Sequence, residues 1–293
     1  MLHTSLPPIK IDERTFLKEH FHLAPLPGTL TRILAVINSQ NGNAAEVEKL
    51  IATDAVMTST VLKVVNSAYY ALAARISNIR YAIAYLGLGE VSRIALALSV
   101  IRGVQSADQK ELKQFWLHSY LTALTAKRVA KEVRLYDLDD LYTATLLHDI
   151  GTLVYQKFFP QHYQELVRWC AEHGRLLGDA ERELGLPSHA RLGSLLCDHW
   201  HLPAAVKRAC EFHELQHLQT LTEPAQARPF DIVVPAANLL AALSADPLSQ
   251  ELKETISHEV RRVTGLDEAK FVMLMGDVYE LKLKAEQAVT ALL

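Results

Sequence analysis

The chain has little cysteine and no paired cysteine. Cys170, Cys197 and Cys210 are odd in number, widely spaced and form no C-x-x-C motif, which argues against a disulfide framework or a thiolate zinc site and leaves core thiols. It also lacks a surplus of either charge. Thirty basic against thirty-three acidic residues leave a net charge of −3, so no long-range field gathers nucleic acid or an anionic membrane surface. The local cluster Lys127, Arg128 and Lys131 reads as a solvated helix face. No apolar run is long enough to span a bilayer, the greasiest being Ile94 to Ile101. Met1 to Lys10 has no basic flank leading into an apolar stretch. The expectation is a cytoplasmic protein without nucleic-acid or membrane partners.

Alternating runs rich in Val, Ile and Thr are scarce too, whereas apolar residues recur at helical spacing nearly everywhere, so the predicted fold class is all-α. At 49% apolar and 22% charged over 293 residues, the chain can bury a sizeable core. Asn43-Ala44-Ala45-Glu46 fits a capping box before a helix burying Val47, Leu50 and Ile51. Asp54 can cap a helix carrying Met57, Val61 and Val64. Ser77 is expected to cap a third, ended by Gly87 in the left-handed conformation. A fourth runs to Gly103, and the polar stretch Gln105 to Lys110 marks a seam. Further helices are expected over Glu111 to Val133, from Asp140 through His148 and Asp149, over Tyr163 to His173, from Ser188 toward Trp200, from Pro203 to His217, and from Ile232 onward with breaks near Pro247 and Gly265.

A divalent cation held for phosphate chemistry needs imidazoles and carboxylates from several elements, because neighbours on one helix diverge by roughly 100° and cannot surround an ion alone. Leu146-Leu147-His148-Asp149-Ile150-Gly151 offers one edge of such a site, and His118 flanks the apolar stripe of the Glu111 to Val133 helix. His189 opens a helix, and His213 lies one turn beyond Cys210. A rival reading is His213-Glu214-Leu215-Gln216-His217, which spells H-E-x-x-H and would suggest a zinc peptidase. Its flanks, Glu211 and Gln219, are polar, and no Gly-x-x-His supplies a third ligand.

Asn66-Ser67-Ala68-Tyr69, Ala82-Ile83 and Leu86-Gly87, followed downstream by the His148-Asp149 segment, resemble the HD-related output domain (HDOD) family, itself related to the HD phosphohydrolases. The resemblance covers roughly Leu23 to Leu221 and includes Leu26-Pro27, Ile76, Glu183, His189, Gly193, Trp200 and Leu202-Pro203. It implies a multi-helix HD-like bundle: residues 1–22 an N-terminal arm, 23–107 an N-terminal helical part, 108–221 an HD-like core, and 222–293 helices completing the bundle. In the HD superfamily a helical His, a His-Asp pair and a distal Asp recur in order. His118, His148 and Asp149 match, but the distal position falls on Asn238. A neutral amide binds a hard cation much more weakly than a carboxylate. Asp231 would need a bend, which Pro235 can supply, to take its place. The HD-GYP branch reads His-Asp-Ile-Gly-Lys, a His-His pair and Gly-Tyr-Pro, whereas this chain has Thr152, Glu214 and no Gly-Tyr-Pro.

The resemblance therefore implies a non-catalytic module of bacterial signal transduction with a degenerate metal site. That site is formed by His118, His148, Asp149, His189 and His213, with Glu214 and Asn238 as doubtful members. Its expected partners are signalling proteins (receiver, kinase or cyclic-di-GMP pathway components) or a small nucleotide ligand. A signal would come from a separate protein or ligand, because the chain has no room for an attached receiver or cyclase. No cofactor is required on this reading, though Fe, Mn, Zn or Mg would suit the cleft. The alternative is a metal-dependent phosphohydrolase acting on a nucleotide or cyclic dinucleotide, with Asp149 as its catalytic group and Glu214 and Asn238 completing the site.

Overall fold

The computed structural model describes residues 6–9, 28–37, 44–104, 108–135 and 140–292, and among these every regular element is helical. The N-terminal part comprises α1 (Gly28–Ile37), α2 (Ala44–Ala52), α3 (Ala55–Val65), α4 (Ile79–Leu86) and α5 (Leu88–Val104). The stripes read from periodicity face inward: α2 buries Val47, Leu50 and Ile51, and α3 buries Met57, Val61 and Val64. Asp54 caps α3, its carboxylate accepting from the Met57 amide at 2.9 Å. Asn43 and Leu26-Pro27, like most of the N-terminal arm and residues 105–107 of the seam, lie outside the described residues.

Two local expectations need correction. Asn78, not Ser77, caps α4, accepting from the Tyr81 amide at 2.9 Å; the two residue types cap about equally well, and the chain uses the one nearer the helix. Gly87 has positive φ (87°) but an extended ψ of 156°. It therefore turns the chain directly into α5 instead of closing α4 with a left-handed cap. The apolar run Ile94 to Ile101 lies in α5, buried on nearly every side. No helix among the described residues is long and apolar enough to cross a membrane.

Beyond the seam, Asp108 caps the long α6 (Gln109–Glu132), accepting from the Lys110 and Glu111 amides. Next come α7 (Leu141–Leu147), α8 (Ile150–Phe158), α9 (Pro160–His173), α10 (Leu177–Leu184), α11 (His189–His199), α12 (Ala204–Phe212) and α13 (Leu215–Thr220). A 3₁₀ turn, Pro224–Gln226, leads to α14 (Pro229–Ala245), α15 (Gln250–Thr264) and α16 (Glu268–Leu292). Both α14 and α16 pack along α6, so the last helices wall the core that carries His118. The Lys127 cluster is not simply a solvated face. The exposed Lys127 donates to the Tyr69 carbonyl at 2.6 Å, tying the two halves together, and Arg128 pairs with Glu132 and Asp277. Cys197 and Cys210 are buried thiols with sulfurs 3.9 Å apart, while Cys170 is half-buried.

Two helices expected to be continuous are broken, and both breaks fall on site residues. His148 ends α7 and Asp149 precedes α8, so the dyad occupies a joint. His213 ends α12 and Glu214 precedes α13. A close crossing sets the first joint. A β-carbon on Gly151 would lie 1.8 Å from the His189 carbonyl oxygen and 2.9 Å from the Gly193 amide nitrogen. Only glycine lets α8 and α11 approach so nearly, and that approach delivers His189 to Asp149.

Candidate metal centre

The site is a set of imidazoles whose outer nitrogens are already engaged. His148 Nδ1 lies 2.6 Å from the Thr145 carbonyl, so it carries the proton and leaves Nε2 as a lone pair. His213 Nδ1 likewise donates to the Cys210 carbonyl at 2.8 Å, and His189 Nδ1 donates to Glu181 Oε1 at 2.8 Å. The three Nε2 atoms turn inward. His118 Nε2 lies 3.2 Å from His148 Nε2, His189 Nε2 lies 2.9 Å from His213 Nε2, and Asn238 Oδ1 lies 3.3 Å from His148 Nε2. Nitrogens this close need a hydrogen or a metal ion between them: a neutral His118 can place its proton on Nε2 and donate to His148, while the pair His189 and His213 shares one proton or an ion.

Carboxylates complete the arrangement. Asp149 Oδ1 lies 3.4 Å from His189 Nε2, and Glu214 Oε1 lies 3.7 Å from His189 Nδ1. Among the described residues, three groups have donor atoms all within 4.8 Å of one another: His118, His148 and Asp149; Asp149, His189 and His213; Glu181, His189 and Glu214. Asp149 belongs to the first two and His189 to the last two, so the groups form a chain. Asp149 Oδ1, Glu181 Oε2 and Glu214 Oε1 are buried without a hydrogen-bond partner, a costly condition unless a cation answers them. The donors suit a divalent ion: imidazole nitrogens with fixed tautomers, backed by carbonyls and carboxylates, as in protein metal sites generally.

The metal-free protonation pattern follows from burial and charge. Burial, together with the neighbouring His118, depresses His148 to about 3. His213 is held well below its ordinary value by burial, then by His189 and His148. Burial raises Asp149 to about 7 despite the opposing pull of His189. His189 goes the other way: burial favours its neutral form, but the Glu181 charge and hydrogen bond, joined by Asp149 and Glu214, outweigh that and raise it to about 10. A single imidazolium at His189 thus occupies the middle of the carboxylates and donates to His213.

The sequence-predicted residues His118, His148, Asp149, His189 and His213 all line or enter this cluster. Of the doubtful pair, Glu214 joins a donor group, while Asn238 keeps its oxygen on His148 and donates Nδ2 to the His213 carbonyl at 3.0 Å. Asp231 is no substitute for the missing acid. It stays buried on α14 with both oxygens bound by Arg208, and the helix runs on through Pro235. The H-E-x-x-H reading also fails on geometry, because the helix breaks inside the motif and His217 packs on Phe212 and joins no donor group among the described residues.

Two acids were missed. Glu181 grips both the amide and the ring of His189. Its signal was present: it sits beside Ala180, three residues before Leu184, on the buried face of α10, whereas Glu183 is only partly buried. Asp246, just past α14, lines the cavity, and its charge acts on His118. The cluster opens into a cavity of about 790 Å³ whose wall includes Arg175, Arg182 and Lys282.

Comparison with known proteins agrees with the architecture. An uncharacterised protein of Treponema pallidum (strain Nichols) is 29% identical over 219 residues, which cover 73% of this chain and 41% of that protein. This chain therefore aligns with well under half of its relative's length. A crystal structure of an HDOD domain protein of unknown function from Geobacter sulfurreducens superposes with a TM-score of 0.71 at 22% identity, covering 96% of this chain and 97% of the other. A provisionally named phosphohydrolase from Shewanella amazonensis SB2B superposes with a TM-score of 0.67 at 20% identity, covering 94% and 98%. At such identities the likeness speaks for the fold alone. The HDOD domain model matches residues 23–215, most of the length and all of the ordered histidines from His118 to His213, and the chain belongs to the HDOD domain family.

Proposed function

We propose that this protein is a non-catalytic regulatory module whose histidine cluster holds a divalent cation as a structural or ligand-sensing element, and which signals by contact with other proteins. The observation that carries this reading is Asn238. The position where the HD pattern supplies a distal carboxylate holds a neutral amide, fastened to the His213 carbonyl through Nδ2. The group of His118, His148 and Asp149 is left with one anionic member. A bound ion would polarise a phosphoryl oxygen or acidify a water; with Asp149 the one carboxylate of that group, little is left to position the water as well. The proposed partners are receiver, kinase or cyclic-di-GMP pathway proteins, with a small nucleotide as the alternative occupant of the cavity.

Hydrolysis is the second reading, and one observation favours it: Asp149 belongs to two donor groups at once, as a carboxylate between two ions would. Metal analysis of protein purified without an affinity tag, followed by a phosphate-release screen of nucleotides and cyclic dinucleotides with Mn²⁺ and Fe²⁺, separates the two. The regulatory reading expects bound metal and no turnover. Turnover that disappears in Asp149→Ala would overturn it.

A further inference from the structure

A second cavity, of about 970 Å³, lies in the N-terminal part and, among the described residues, shares no lining residue with the metal cavity. It is bounded by α3, by the loop between α3 and α4, by Tyr120 of α6 and by Ala288 of α16. Its walls are largely apolar, with Leu62, Val64, Leu72 and Ile76. Two features do not belong to an ordinary packing defect. Lys63 and Arg75 line it, are exposed, and have no side-chain hydrogen-bond or ion-pair partner among the described residues. Tyr120, only 1% exposed, and Ser67 also line it, and their hydroxyls are buried without a hydrogen-bond partner. Burial raises the Tyr120 phenol, and the nearby Ser67 hydroxyl and Tyr69 backbone offset this in part, although neither stands in hydrogen-bonding geometry with it.

The rim is preorganised. Asn66 clips the loop with two reciprocal bonds to Ile76, its Nδ2 donating to the Ile76 carbonyl at 2.8 Å and its Oδ1 accepting from the Ile76 amide at 2.8 Å. Ala71 holds a positive φ of 48° in the same loop, and Lys127 anchors the loop through the Tyr69 carbonyl. The Asn66-Ser67 pair, unused by the metal centre, thus builds this second cavity: one residue fixes its rim and the other presents a free donor.

We propose that this cavity binds a small molecule with an apolar body and a single anionic head group, carboxylate or phosphate. Apolar walls take the body, the unpaired hydroxyls of Ser67 and Tyr120 supply donors, and Lys63 and Arg75 supply the counter-charge. A buried donor without an acceptor is costly and is characteristically answered by water or a ligand; two such donors beside two unpaired cations select an anion.

The test uses the full chain with the fluorescent anion anilinonaphthalene sulfonate and its neutral analogue phenylnaphthylamine. Saturable binding of the sulfonate is expected, weakened roughly tenfold in the Lys63→Ala, Arg75→Ala double variant, with the neutral analogue unaffected. Tyr120→Phe is expected to weaken the sulfonate roughly threefold without lowering the urea midpoint, because the hydroxyl it removes makes no bond in the free protein. Asp149→Asn is expected to leave sulfonate binding unchanged. The proposal fails if the double variant binds the sulfonate like the parent, if Tyr120→Phe lowers stability, or if Asp149→Asn abolishes binding and so assigns the probe to the metal cavity.

Discussion

Replacing one amide tests the central reading. In Asn238→Asp the side chain keeps its shape, so the oxygen now 3.3 Å from His148 Nε2 remains, but the donor 3.0 Å from the His213 carbonyl becomes a second acceptor. Without metal, the carbonyl loses its partner and a carboxylate is added near Asp149, itself already raised by burial. The expected cost at neutral pH is about 1–3 kcal/mol. The penalty should shrink as pH falls, because a protonated carboxyl can donate to the carbonyl again. With metal the sign reverses. A charged oxygen joins the His118, His148 and Asp149 group, and ligand charge count tunes cation affinity over decades; Mn²⁺ should bind at least about tenfold tighter, about 1.4 kcal/mol.

Urea unfolding with and without Mn²⁺ at two pH values, calorimetric titration of Mn²⁺ and a phosphate-release assay measure these quantities. Metal-free protein should lose stability at neutral pH and recover part of it in acid, while metal-loaded protein should be more stable than the parent. Phosphate release above the parent level would identify the amide as what silences the site. An unchanged Mn²⁺ affinity together with an unchanged metal-free midpoint would refute the reasoning, since it would mean that the amide neither touches the cation nor serves the His213 carbonyl.

Other perturbations report on neighbouring parts of the same design. Gly151→Ala must drive the His189 carbonyl back by more than an ångström; it should cost about 1–3 kcal/mol and lower metal content, whereas Gly193→Ala, whose β-carbon meets the Cys210 side chain at 3.3 Å, should be milder. Lys127→Met removes the donor to the Tyr69 carbonyl and, the lysine being exposed, should cost about 0.5–1.5 kcal/mol in urea unfolding, with metal binding retained. His189 is raised from 6.5 to about 10, so its contribution to metal-free stability is complete below 6.5 and lost as pH rises through 10; Glu181→Gln should flatten that alkaline loss in a urea-midpoint profile. His148 is lowered from 6.5 to about 3, so its contribution is complete above 6.5 and lost as pH falls toward 3, and a profile without an acid-side loss would contradict its buried neutral state.

Helix identity was legible because it rests on local periodicity. The faces of α2 and α3 and the Asp54 cap follow from residue types alone. The helix joints were not legible. Leu147-His148-Asp149-Ile150 contains neither glycine nor proline, and nothing local stops a helix there; the break coincides with the tight crossing at Gly151 and with the His148 ring turning back to the Thr145 carbonyl. The same holds at His213-Glu214, where the ring binds the Cys210 carbonyl. Histidines could be gathered from their order along the chain; for Glu181 the periodicity could mark burial but not its grip on His189, which depends on the distance between α10 and the first residue of α11.

These joints bear on what the cluster can do. A dyad inside one straight helix would direct adjacent side chains about 100° apart, whereas a dyad at a joint lets His148 face His118 while Asp149 turns to His189. One short segment thereby serves two donor groups on opposite sides. The proton on His189 and a divalent ion then compete for the same carboxylates, Glu181, Asp149 and Glu214. Metal binding at this end must expel that proton, so affinity should rise with pH toward about 10, while the other group, whose histidines are already neutral, should gain affinity only up to about pH 7, where Asp149 ionises, and level off above it. A titration of Mn²⁺ against pH in the parent and in His189→Gln distinguishes the two ends: a steep dependence in the parent and a shallow one in the variant is the expected pair, and equal slopes would mean that the His189 proton does not guard the site.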